Sequence, residues 1–123
     1  MNVVWFKRDL RLADHAPLAA AIERGEPLLL LDIIEPKLLR DPHYRGRHWH
    51  FIAQSLQAMN DELAMLGAQI QVLEDEPVSL LNKLHQSQPI GHLYSHEETG
   101  LGVTFERDRQ VAAFCAAQGI EWH

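Results

Sequence analysis

Seven residues in the first third of the chain, Leu28 to Ile34 (LLLLDII), hold six aliphatic side chains and one aspartate. The run is far short of the roughly 20 apolar residues that cross a bilayer. It also lacks the polar–apolar alternation of a strand with one wet face. A strand buried on both faces fits it, and such strands occur where helices cover a parallel sheet above and below.

The rest of the sequence supplies the partners such a strand needs. Asn2 to Phe6 (NVVWF) is a second buried strand by its β-branched and aromatic content. Ala68 to Leu73 (AQIQVL) alternates polar with apolar, and Ile90 to Ser95 (IGHLYS) and Gly119 to Trp122 (GIEW) read as shorter strands. Longer amphipathic stretches lie between them. A first helix is expected to open near Asp14, whose carboxylate would cap free N–H groups, with Pro17 in its first turn and Gly25 as its stop. The longest runs from about Gly46 to Leu66: Phe51, Ile52, Leu56, Met59, Leu63 and Leu66 recur at helical spacing, and Gly67 closes it. A third covers Val78 to Gln86 after Pro77. A fourth covers Phe105 to Gln118, with Val111, Phe114 and Cys115 on one face and Gly119 beyond. Five strands alternating with four helices predict a three-layer, Rossmann-like α/β fold: a five-stranded, mostly parallel sheet with helices on both faces and right-handed crossovers.

At 123 residues this is one domain, and its 46% hydrophobic content suits a globular one. A formal charge of −6 argues against the chain alone being a strong binder of the nucleic-acid backbone, which needs a basic face. A single cysteine, Cys115, excludes an internal disulfide framework and suits a reducing cytoplasm. The opening MNVVWFKRDLR brings charges before any long apolar run, so neither a signal peptide nor a membrane span is expected, and the predicted location is cytoplasmic. The sequence stops at Trp122-His123, in or just after a strand with no helix to cover it. Either an edge strand ends the protein there, or the chain is a fragment of a longer one.

In an open parallel sheet, ligands sit beyond the carboxyl ends of the strands. After the first strand comes Lys7-Arg8-Asp9-Leu10-Arg11-Leu12, which is neither GxGxxG nor a P-loop, because no glycine lets a pyrophosphate approach the backbone. Its cations around one carboxylate suit a structural ion-pair network and an anion site equally. Glu35-Pro36 ends the second strand, and Ser95-His96-Glu97-Glu98-Thr99-Gly100 follows the fourth. Neighbouring loop residues need not converge, so the sequence favours a non-catalytic role for His96 and its carboxylates, and no catalytic residue is assigned. There are eight histidines, but His48 and His50 are two apart and point to different sides of a helix. His92 and His96 fall on a strand and its loop, and no HExxH or Cys/His pattern exists, so no metal is expected. Cys115 reads as a buried, inert thiol. Trp5 and Phe6 read as core, while Trp49 and Trp122 suit either the core or a partner-facing surface. Arg107-Asp108-Arg109 reads as a capping and ion-pair feature. No nucleophile elbow or Ser–His–Asp order is present.

The stretch Val4-Trp5-Phe6-Lys7-Arg8-Asp9-Leu10-Arg11-Leu12-Ala13-Asp14-His15-Ala16-Pro17-Leu18 closely resembles the N-terminal signature of the DNA photolyase/cryptochrome family. That signature is a hydrophobic strand, W-F-R-R-D-L-R-L, a variable residue, D-N and a small-residue helix start. Lys7 stands for the commoner Arg and His15 for the commoner Asn. Glu35-Pro36-Lys37-Leu38-Leu39 resembles the family's D-P-x-x-L. Arg47-His48-Trp49 with Phe51-Ile52 and Ser55-Leu56 resembles the start of its long helix. Ser95 to Gly100, then Arg107-Asp108 and Val111, resembles the approach to its last helix. The likeness covers essentially all 123 residues.

The resemblance implies the N-terminal α/β domain of a modular flavoprotein. Such a domain holds or flanks an antenna chromophore: a folate, a deazaflavin or a flavin. A larger C-terminal helical domain, absent from this sequence, holds FAD and grips DNA containing a pyrimidine dimer, which is repaired by light-driven electron transfer from the flavin. On this likeness the chain alone is not a catalyst. The cofactor-binding positions carried over are Phe6, Arg8, Glu35, Arg47, Glu97, Glu98 and Thr99. The folate-type pattern has Asn-Glu shortly before the Arg-Asp of the last helix; Val103-Thr104 stands there instead. A member that has lost its antenna would use the same residues to dock the second domain. Two further readings are a cryptochrome photoreceptor domain and a free-standing nucleotide-binding module. A fragment would expose an apolar patch where the helical domain docks, and would self-associate through it.

Overall fold

The computed structural model describes residues 1–7, 12–40, 49–64, 68–96 and 102–123. The apolar run forms β2 (Leu28–Ile34), held between β1 (Asn2–Phe6) and β3 (Ile70–Glu74). Beyond β1 lie β4 (His92–Tyr94) and β5 (Glu121–Trp122), giving one sheet in the order β3-β2-β1-β4-β5. Every one of these neighbouring pairs is parallel, so the sheet is parallel throughout rather than mostly so.

Alternation along β1 sorts the core into two layers. Val3 and Trp5 join Leu31, Ile33 and Leu93 beneath α4 (Pro77–Ser87) and α5 (Val103–Gln118), against Leu81, Val111 and Cys115. Val4 and Phe6 join Leu30 and Tyr94 on the other side, against Leu18 of α1 (Ala16–Arg24) and Met59 and Leu63 of α3 (Trp49–Ala64). Trp5 and Phe6 are fully buried. Truncating such a side chain to alanine costs about 3–5 kcal/mol.

Several local expectations need correction. A short extra helix, α2 (Pro36–Arg40), follows β2 directly, so the described residues hold five helices rather than four, two of them between β2 and β3. Pro36, expected at the strand's end, opens this turn, since its missing N–H is one that a first helical residue does not use. The Leu38 N–H donates to the Glu35 carbonyl at 3.0 Å. His15, not Asp14, caps α1: its backbone is extended, and its Nδ1 accepts the Leu18 N–H at 3.0 Å. Asp14 instead takes a left-handed turn, at φ 53°. β3 begins at Ile70, later than expected, where the Ile70 N–H donates to Asn60 Oδ1 at 2.8 Å. Expected ends at Gly46, Leu66 and Gly67 lie outside the described residues. Gly25 and Gly119 close α1 and α5 at φ 69° and 72°, a backbone region that side chains with a Cβ avoid.

The strand order places the topological switch between β1 and β4, so their carboxyl ends open a crevice. Among the described residues, no helix is long and apolar enough to cross a membrane.

Candidate functional site

The residues just past β1, β2 and β4 meet at this crevice. Lys7 follows Phe6 and so points to the α4–α5 side of the sheet, where its ammonium sits 4.5 Å from the Trp5 ring centre and 5.4 Å from that of Trp122. Its Nζ donates to the His96 carbonyl at 3.2 Å and lies 3.6 Å from the Asp108 carboxylate. Asp108 accepts from Arg107 Nε at 3.0 Å, and Arg107 Nη1 donates to Glu35 Oε2 at 3.0 Å. Two cations and two carboxylates thus form a neutral chain that ties the ends of β1 and β2 to α5. Trp122 Nε1 donates to Ser95 Oγ at 2.8 Å, which fastens β5 to the end of β4.

On the opposite side, the Phe6 ring lies 4.7 Å from the His15 ring, and His15 meets His96 edge-on at 4.6 Å. The sheet end is therefore ionic on its α4–α5 side and aromatic beside α1.

Two concavities flank the Arg107–Asp108 turn of α5. One, of about 480 Å³, is lined by Lys7, Ser95, Phe105, Asp108 and Trp122 among others. The other, of about 440 Å³, is lined by Glu35, Lys37, Glu76, Val78, Arg107 and Gln110 among others. Both fall in the range of small-molecule sites, about 300–1,000 Å³. Carboxylates at their walls accept hydrogen bonds from the N–H edge of a heterocycle, while Lys and Arg match a phosphate or carboxylate tail.

Of the positions singled out in the sequence, Phe6 and Glu35 are described, and both are buried. They share the carboxyl end of the sheet but not a side: Phe6 packs with Leu18 and Met59, whereas Glu35 faces Arg107 of α5. Arg8, Arg47, Glu97, Glu98 and Thr99 lie outside the described residues. Sequence reasoning missed the link from Arg107 to Glu35 and the role of Trp122 as a lid on Lys7. The signal for the first is the Arg107-Asp108 dipeptide, expected as a capping and ion-pair feature: the ion pairs form, the cap does not. In the structure Gly102 stands at the cap position, and the dipeptide reaches toward the sheet end. Cys115 is buried, and burial pushes its thiol up to about 11.

Residues 2–123 match the model of the family described as DNA photolyase. The chain is 28% identical over 116 residues to a deoxyribodipyrimidine photo-lyase of Synechococcus, spanning 94% of this chain and 24% of that one. It is 26% identical over 121 residues to cryptochrome-2 of Gallus gallus, spanning 98% of this chain and 20% of that one. It therefore spans about a fifth to a quarter of these relatives' length. Among solved structures, an archaeal photolyase from Sulfolobus tokodaii superposes with a TM-score of 0.84 at 24% identity, over 99% of this chain and 28% of that one. That photolyase holds two FAD molecules, which its structure relates to a novel light-harvesting cofactor. A Synechocystis cryptochrome superposes with a TM-score of 0.87 at 24% identity, over 99% of this chain and 26% of that one.

Proposed function

The chain belongs to the DNA photolyase family, and we propose that it is the antenna-chromophore domain of a longer flavoprotein, binding a flavin, deazaflavin or folate at the carboxyl end of its sheet. The observation that carries this reading is the pair of concavities beside α5 at that sheet end. The second FAD of the Sulfolobus tokodaii photolyase, interpreted there as light-harvesting, supports the choice of ligand class. Their volumes and mixed carboxylate–cation walls fit a ring with a charged tail.

When bound, an antenna supplies light absorption, and FAD in a C-terminal helical domain supplies the electron that splits a pyrimidine dimer. This chain's part is to bind and orient. Glu76 and Gln110 offer hydrogen-bonding groups to a ring edge, Lys37 offers charge to a tail, and the Glu35–Arg107 pair fixes the wall between them. Arg8, Arg47, Glu97, Glu98 and Thr99 are proposed as further cofactor contacts on the family resemblance alone. The parent protein is proposed to repair dimer-containing DNA, and the chain alone to leave the dimers of such DNA unsplit under blue light. A photolyase and a cryptochrome match this domain almost equally, at 28% and 26% identity. The helical domain is its proposed partner, with DNA reached only through that domain. Self-association of the isolated chain has four exposed large apolar side chains to draw on among the described residues, Ile22, Val72, Leu73 and Phe105, spread over three elements.

Equilibrium dialysis of the purified chain against FAD, FMN, a deazaflavin and a methenylfolate tests the binding claim. Saturable one-to-one uptake of one of them is expected, and it should be abolished by Gln110→Trp, which fills the cavity from an exposed helix position. Uptake of none, or uptake indifferent to Gln110→Trp, overturns the assignment.

A further inference from the structure

We propose that His92, Glu121 and His123 form a binding site for a divalent transition-metal cation of the zinc type, built by the register of the two outermost strands. β4 and β5 pair His92 with Glu121 and Leu93 with Trp122, which sets His123 opposite Tyr94. Side chains alternate along strands, so His92, Tyr94, Glu121 and His123 share one face, while Leu93 and Trp122 join the core beneath α5.

The ligand atoms are already gathered. His92 Nδ1 lies 2.9 Å from His123 Nε2 and 3.3 Å from Glu121 Oε2, and His123 Nε2 lies 3.6 Å from that same oxygen. Ligands about 2.0–2.1 Å from a tetrahedral zinc ion stand about 3.3 Å apart. The three separations bracket that value, so small side-chain rotations suffice to seat an ion.

The donors are held by the backbone and by stacking. The His123 N–H donates to the Leu93 carbonyl at 2.8 Å, and the Ser95 N–H donates to the His123 carbonyl at 3.2 Å. The His92 N–H donates to Asn2 Oδ1 at 3.0 Å. The Tyr94 ring stacks on His123 at 4.7 Å with an interplanar angle of 13°. Arg24 Nε in turn donates to the Tyr94 hydroxyl at 2.8 Å.

Two imidazoles and one carboxylate are a known zinc ligand set that leaves a fourth position to water. Glu121 and His123 are solvent-exposed, so that position has access to solvent. The sequence offered no metal motif because the two histidines are 31 residues apart and only strand pairing joins them. A bound ion would cross-link the two-residue β5 to β4 and so hold the sheet's edge.

Calorimetric titration of the chelator-treated, tag-free chain with zinc chloride at about pH 7.5 tests this. One equivalent is expected to bind with micromolar affinity. His92→Ala and His123→Ala should each weaken it by about 100-fold or more, Glu121→Gln by about 10-fold, and the exposed Glu62→Gln should leave it unchanged. Glu121→Gln alters an exposed side chain and guards against a histidine variant that does not fold, with circular dichroism reporting the fold of each. Absence of saturable zinc binding overturns the proposal. So does binding that Glu121→Gln and the folded histidine variants leave intact.

Discussion

The Arg107 guanidinium lies 3.0 Å from the Glu35 carboxylate across 72 residues of sequence, and their side chains are only 5% and 7% exposed. The pair joins the end of β2 to α5 and forms part of the wall of the proposed cavity. Taking both charges out of water is expensive, so either one left alone is a liability. Arg107→Met should therefore cost about 3–5 kcal/mol in urea unfolding, and Glu35→Gln less, because Arg107 keeps its bond to Asp108. The Glu35→Leu/Arg107→Met double variant should recover most of that loss. A double variant no better than the singles would mean that the pair itself carries the stability.

Lys7 replaces the arginine of the family signature, and its ammonium is sandwiched between two indoles and the Asp108 carboxylate. A guanidinium stacks on aromatic rings and pairs with carboxylates at least as well. Lys7→Arg is expected to change stability by less than about 1 kcal/mol. Lys7→Met keeps the stem but removes the charge, and should cost about 1–2 kcal/mol by loss of the cation–π contact and the ion pair. Thermal denaturation distinguishes the two. Equal losses would mean that the site tolerates only the lysine shape.

Fold class was legible because burial on both faces leaves a plain mark: Leu28 to Ile34 admits few environments, and the glycines after α1 and α5 punctuate the helices. Finer features were set by chemistry that the periodicity does not carry. Helix α2 has only five residues, too few to display an amphipathic period. The cap of α1 went to His15 because an imidazole nitrogen can also accept a backbone N–H, one residue later than the usual cap types suggest. The Glu35–Arg107 pair and the His92–Glu121–His123 group depend on strand order and register, which sequence spacing does not encode. The resemblance pointed to the crevice, and the structure assigned the partners of Lys7 and Glu35 within it.

His15 caps α1 with Nδ1 while its ring packs against Phe6 and His96. Removing a cap acceptor costs about 1 kcal/mol, and truncating a buried ring adds to that. His15→Ala should lower stability by about 2–3 kcal/mol. His15→Asn, the commoner residue of the signature, restores an acceptor at the same position and should cost less than half as much. Chemical denaturation of both variants decides the point. Equal losses would assign the whole effect to ring packing.

Cys115 supplies a pH dependence whose sign follows from burial alone. Its thiol is raised from 9.0 to about 11 because the folded interior disfavours the thiolate. Below 9.0 the thiol is neutral in both states and contributes its full stability. Above that value the unfolded chain ionises first, so stability falls as pH rises through about 11, by about 2–3 kcal/mol in total. Cys115→Ala removes this dependence at the cost of a small core cavity, while the tyrosines and lysines that also titrate in this range are common to both proteins. The stability difference between the two should therefore shrink steadily with rising pH in urea unfolding. A difference constant across that range would mean that the thiol is not held neutral by the fold.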